Sequence, residues 1–125
     1  MSKRVFISQP MSGLDEKDIL STRKKEIKEI NRVIDDAIIV GSYQTNARRE
    51  FFESVFNDPK YEKRNWDIYW LGRSIEGLAQ ADMLWLCDGW EHSKGCNIEL
   101  KCAILYGLEI SYPLERSELW EIVSL

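Results

Sequence analysis

The stretch Met83-Leu-Trp-Leu-Cys87, set between Ala79-Gln-Ala-Asp82 and Asp88-Gly-Trp-Glu-His-Ser-Lys-Gly95, decides the fold. Five consecutive apolar residues suit a strand covered on both faces, the position of a central strand in a parallel sheet. On its C-terminal side the loop Asp88 to Gly95 leads into a helical stretch, Cys96 to Tyr106. Gly107 ends that helix as its C-cap, and Leu108 to Ser111 reads as a further strand. On its N-terminal side, Trp66 to Ala81 carries apolar residues at Leu71, Ile75, Leu78 and Ala79, the period of a helix.

The same alternation extends to the start of the chain. Arg4 to Ser8 is a short β-branched and aromatic run that stops at the loop Gln9 to Leu14. From Asp15 a charged stretch with Leu20, Ile27, Ile30 and Ile34 at helical spacing predicts an amphipathic helix, and Ala37 to Val40 a strand closed by Gly41 and Ser42. The segment Tyr43 to Arg64 is polar, aromatic and broken at Asp58-Pro59, with a short helix near Arg48 to Phe56. Loops of that length serve as lids or are loosely ordered insertions, and both readings stay open. The tail Glu118 to Val123 fits a fifth strand or a short helix. Strands alternating with helices predict one α/β domain over residues 1–125, a flavodoxin- or Rossmann-like doubly wound parallel sheet of four to five strands with flanking helices. Such sheets bind ligands outside the carboxyl ends of their strands, which singles out Gln9 to Gly13 and Asp88 to Gly95.

Composition narrows the function. A formal charge of -4 gives no basic footprint for duplex nucleic acid. Cys87, Cys96 and Cys102 are odd in number and without CxxC spacing, which argues against a disulfide framework and for a reducing, cytoplasmic setting. No run reaches the length of a membrane span, and the first apolar segment is too short for a signal peptide. The lone His92 has no His or Cys partner at ligand spacing, so no metal site and no cofactor are expected unless carboxylates recruit a hard ion.

Glu99 is the most informative residue. It stands early in the helix after Gly95, with Cys102, Ala103 and Tyr106 on its face. A helix N-terminus favours the ionised carboxylate while apolar surroundings limit its hydration, a combination that suits a nucleophile; an ordinary carboxylate offsetting the macrodipole is the plain alternative. Ser93 precedes the free amides at the mouth of that helix, where it can cap the helix or add a donor to a phosphate, with Lys94 and Gly95 beside it. Ser8-Gln9-Pro10-Met11-Ser12-Gly13 lacks the spacing and lysine of a Walker loop but places two hydroxyls and an amide at a strand end. Trp90, with Tyr43, Phe51, Phe52, Trp66, Tyr69 and Trp70, offers stacking surfaces for a nucleobase or packs the core and the lid. Asp82, before the central strand, is a loop tie or a catalytic carboxylate.

VFISQPMSG (residues 5–13), AQADMLWLCDGW (79–90) and SKGCNIELKCAILYG (93–107) taken in this order resemble the nucleoside 2-deoxyribosyltransferase superfamily, especially its small phage and bacterial branch. The resemblance spans most of the chain and leaves Tyr43 to Arg64 unmatched. It implies that Glu99 attacks the anomeric carbon of a nucleoside or nucleotide to form a glycosyl-enzyme. It further implies that Ser93, where members acting on free nucleosides carry aspartate, holds a 5'-phosphate, as in the nucleoside 5'-monophosphate N-glycosidases. The implied substrate site comprises Ser8 to Gly13, Ser74, Asp88, Trp90 and Ser93 to Gly95, and the implied assembly is a homo-oligomer. Two departures stand out. Ser74 replaces the aspartate found eight residues before Asp82, with Asp67, Glu76 and Asp88 as candidate substitutes, and Gln9 replaces a glycine often found after the first strand. The expected activity is cleavage of an N-glycosidic bond, completed by hydrolysis or by transfer to a second base. The rival readings are a nucleotide-binding regulatory module that has lost the chemistry and a purely structural interaction protein.

Overall fold

A computed structural model of the chain describes residues 2–56 and 65–111. Strand β1 (Lys3–Ser8) is followed by α1 (Glu16–Val33), β2 (Ala37–Val40), α2 (Asn46–Val55), α3 (Trp66–Leu78), β3 (Met83–Leu86), α4 (Lys94–Leu105) and β4 (Glu109–Ile110). The four strands form one parallel sheet in the order β2-β1-β3-β4. This is a flavodoxin- or Rossmann-like doubly wound α/β fold. The tail 118–123 and the break at Asp58-Pro59 lie outside the described residues.

Side-chain alternation along the strands divides the interior in two. Val5 and Ile7 of β1, with Cys87, pack against Ile30 of α1. Phe6 of β1 and Leu84 and Leu86 of β3 turn to the other face, onto Leu78 of α3 and Cys96, Leu100 and Ala103 of α4. A period of two therefore dictates that Ser8, two residues after Phe6, faces α4. Gln9 turns the opposite way, and its Nε2 donates to the Ile19 carbonyl of α1 at 2.7 Å.

Several expectations shift by a turn or less. On α1 the buried residues are Ile19 and Ile30, whereas Leu20 is 44% exposed. Ile19, Arg23, Ile27, Ile30 and Ile34 follow steps of three and four, and Leu20 falls about 100° off that stripe. Helix α4 begins two residues earlier than expected, because the Ser93 hydroxyl accepts the Cys96 N–H at 3.2 Å and so starts the helix at Lys94. At its end Leu108 N–H reaches the Ala103 carbonyl at 2.9 Å and Gly107 N–H the Ile104 carbonyl at 3.4 Å, the paired bonds of a Schellman ending. Tyr106 does not share the buried face of Glu99: it is 84% exposed. At the end of β2, Gly41 has φ 77, and a Cβ there would meet the Phe6 ring at 2.8 Å, so only glycine lets the strand end and ring approach this closely.

Candidate functional site

The strand order reverses direction between β1 and β3, and the crevice at their carboxyl ends is the expected ligand position. Ser8 ends β1 opposite Leu86 of β3. Glu99 lies on the α4 face that also carries Cys96, Leu100 and Ala103. The two meet where sheet and helix close on each other: the Ser8 hydroxyl donates to Glu99 Oε1 at 2.7 Å, with Ser8 fully buried and Glu99 6% exposed.

A carboxyl group in that setting is not an ordinary one. Burial strips its hydration and pushes its pKa up to about 7, while the Ser8 hydroxyl pulls the other way by favouring the ionised form. Glu99 therefore stands near the balance of its two protonation states at neutral pH, as suits a group that gives and takes protons, and its ionised fraction is the one able to act as a nucleophile. The neighbouring thiols do not compete with it. Burial raises the pKa of Cys96, against the lowering effect of the Ser8 and Ser93 hydroxyls, and burial with Glu26 nearby pushes Cys87 up to about 12. Both remain protonated and poorly nucleophilic.

The loop after β3 is held by a residue that sequence reasoning passed over. The Asn97 side-chain amide donates to the carbonyls of Trp90, Glu91 and Ser93, at 3.1, 3.1 and 2.8 Å, and so fixes a single 3₁₀ turn, Trp90–His92, against the start of α4. Gly89, at φ 87, precedes this turn, and Pro10 Cγ lies 3.6 Å from where a Cβ on Gly89 would be, so the loops after β1 and β3 abut. Beyond Ser93, the N–H groups of Lys94 and Gly95 make no hydrogen bond among the described residues, and a Cβ on Gly95 would meet nothing within 4 Å. The mouth of α4 is an open pair of donors with a serine at its edge.

The structure sorts the sequence candidates. Ser8, Ser93, Lys94, Gly95 and Glu99 gather at the carboxyl end of the sheet, together with Pro10 and the exposed Asp88. Ser12 and Gly13 are exposed and Met11 half-buried, and the Leu14 N–H closes a turn on the Met11 carbonyl at 3.2 Å. The Ser8 hydroxyl is engaged in donating to Glu99 Oε1. Gln9 is buried and tied to α1 through the Ile19 carbonyl. Trp90 is 8% exposed within the α4 core, so it is packing and not an open stacking surface. Ser74 is half-buried one turn before Leu78 on α3. Of its candidate substitutes, Glu76 is exposed and lies 3.7 Å from Arg73, and Asp67 is exposed in the first turn of α3. Asp82 is a loop tie: its carboxylate accepts the Arg4 N–H at 2.9 Å. The remaining aromatics collect between α2 and α3, where Phe52 lies 5.3 Å from Tyr69 and 5.4 Å from Trp70, ring centre to ring centre. Tyr43 sits apart from them, its hydroxyl donating to Glu16 at the start of α1 at 3.1 Å.

Among the described residues no group of three or more His, Cys, Asp or Glu side chains could hold a metal ion, and no helix is long and apolar enough to cross a membrane. Against known families, residues 3–112 match a domain of unknown function, DUF4406. The chain belongs to the DUF4406 family. The match runs from the first residue of β1 to just past β4, so the Ser8–Glu99 pair and the α4 mouth both fall within the DUF4406 domain. No curated protein and no solved structure matches it.

Proposed function

We propose that this DUF4406 chain is an enzyme that cleaves the N-glycosidic bond of a nucleoside 5'-monophosphate or nucleoside, with Glu99 as nucleophile. The observation that carries the proposal is the buried Glu99 carboxyl, held by Ser8 at the switch point of the sheet with its pKa brought to about 7. The resemblance to the nucleoside 2-deoxyribosyltransferase superfamily supplies the reaction class.

Ionised Glu99 attacks the anomeric carbon and forms an ester bond as the carbon–nitrogen bond to the base breaks. The departing base takes up a proton from solvent, and the attacking water of the next step returns one. Water then attacks the same carbon, gives up its proton and releases the sugar and the Glu99 carboxylate; a second base in place of water completes a transfer. The geometry leaves both acceptors open. A 5'-phosphate is met by the free N–H groups of Lys94 and Gly95, with the Lys94 ammonium and the Ser93 hydroxyl beside them. The reading includes a homo-oligomer. The outer side of α4 supports it, with Ile98 42%, Leu105 59% and Tyr106 84% exposed, and light scattering on the purified protein measures it.

The test is a chromatographic assay against ribo- and deoxyribonucleosides and their 5'-monophosphates, each with and without a competing free base. Base release that disappears in Glu99→Ala supports the enzyme, and a new nucleoside formed only with the competing base makes it a transferase. Undiminished release by Glu99→Ala would remove the proposal. Ser74 favours a second reading, a nucleotide-binding regulatory module, because a hydroxyl stands where the resemblance expects a carboxylate. Binding of a monophosphate with no product after hours would favour that module.

A further inference from the structure

Helices α2 and α3 lie against each other through a set of rings, and the described residues leave space between them. A depression of about 450 Å³ opens there, walled by Phe51, Phe52, Tyr69 and Trp70 and edged by Arg48 and Arg73. That volume lies within the range of small-molecule sites. Phe51 is 71% exposed, a large apolar surface left uncovered on a helix that buries no residue fully. The edge is cationic on a chain whose net charge is -4. Arg48 has no ion-pair partner among the described residues, and the exposed pair of Arg73 with Glu76, at 3.7 Å, is of the kind that water screens to little value. Glu53 of α2 is already engaged, accepting the Trp70 indole N–H at 2.8 Å. Arg49 lies 5.4 Å from the centre of the Trp70 ring, so the wall already accommodates one guanidinium. None of the residues that line the depression belongs to the Ser8–Glu99 site.

We propose that this depression is a second binding site, for a planar aromatic molecule that carries an anionic group, the chemistry of a nucleoside 5'-monophosphate. The rings provide a stacking wall for the aromatic part, and the two guanidinium groups present planar, bidentate donors to the phosphate. An uncharged aromatic forgoes the arginines, and a bare phosphate forgoes the wall. The site takes its ligand without Glu99 and does not depend on the glycosidic reaction.

The test is a titration of the full chain with 5'-AMP at low salt, followed through tryptophan fluorescence because Trp70 stands in the wall, for wild type, Glu99→Gln and the pair Arg48→Ala/Arg73→Ala. Both arginines are exposed, and a thermal melt establishes that the double variant stays folded. Saturable quenching is expected in Glu99→Gln, which cannot turn the ligand over, with that quenching phase lost or its Kd at least tenfold weaker in the double variant. Adenosine and inorganic phosphate are each expected to bind at least tenfold more weakly than 5'-AMP. Absence of saturable binding in Glu99→Gln, unchanged affinity in the double variant, or inorganic phosphate competing as well as 5'-AMP would overturn the proposal. Failure of turnover with this binding intact would count against Glu99 catalysis alone, and loss of this binding with turnover intact would count against the second site alone.

Discussion

An ionised Glu99 costs the fold free energy, and the sign of that cost is measurable without any substrate. Its carboxyl is raised from 4.5 to about 7 on folding, which corresponds to about 3 kcal/mol between the two protonation states. Below the unfolded value both states are protonated and nothing is lost. As pH rises from there toward 7 the unfolded chain ionises first, so stability falls; above 7 the full cost is present. Glu99→Gln keeps the shape and an acceptor for Ser8 but cannot ionise. Urea unfolding should therefore find it equal to wild type near pH 4 and up to about 3 kcal/mol more stable at pH 8. Equal stability at both pH values would mean that Glu99 is better solvated than its burial implies. Ser8→Ala removes the one donor among the described residues that favours the ionised form, so Glu99 should ionise at higher pH. If Glu99 is the nucleophile, the ascending limb of kcat/KM against pH then moves to more alkaline values in Ser8→Ala, and an unmoved limb would assign that limb to another group. The sequence made Glu99 legible as an odd carboxylate on an apolar helix face, but not its hydrogen bond with Ser8, which the resemblance placed among the substrate-binding residues. Alternation along β1 held the missing signal, since Ser8 shares the face of Phe6.

At the scale of the element, α4 and the loop before it act as one unit. Asn97 makes three hydrogen bonds to loop carbonyls from within the first turn of the helix, so the Trp90–His92 turn is held by α4. Asn97→Ala removes all three side-chain bonds, but the Trp90 and Ser93 carbonyls keep the backbone N–H groups of Ser93 and residue 97 and the exposed Glu91 carbonyl turns to water, so the cost is about 1 kcal/mol. If the chain has the proposed activity, the loosened loop also disorders the α4 mouth, and monophosphate KM should rise more than kcat falls. A variant that loses stability with KM and kcat unchanged would show the loop to be structural only. The elements themselves were legible from periodicity: the apolar run at Met83 marked the central strand, and β2 lies where Ala37 to Val40 predicted it. What escaped were features that depend on one side chain. The Ser93 hydroxyl sets where α4 begins, the Asn97 amide sets the 3₁₀ turn, and a one-position offset separates exposed Leu20 from buried Ile19. An asparagine inside a helix has no periodicity to betray it, because its partners are chosen by a loop whose path is not written in hydrophobic pattern.

At the scale of the whole molecule, the sheet separates two interiors with different work to do. The face under α1 is closed by Val5, Ile7, Ile30 and Cys87, and the other face adds the polar Ser8 and Glu99 to an apolar set that includes Leu100. Ile30 and Leu100 are both fully buried, so replacing either with alanine should cost about 2–5 kcal/mol. The two sites share no cluster, so their costs should nearly add, and the common sheet should keep unfolding a single transition. Their effects on Glu99 should differ. Leu100→Ala opens space within the buried side of α4 that also holds Glu99, and water admitted there lowers the pKa of the carboxyl, which flattens the fall in stability between pH 4 and pH 8. Ile30→Ala, on the far side of the sheet, lowers stability equally at both pH values and leaves that fall intact. Unfolding curves of wild type and the two variants at the two pH values decide the matter: the same pH dependence in all three would mean that the hydration of Glu99 is set by its own loop and not by the α4 interior.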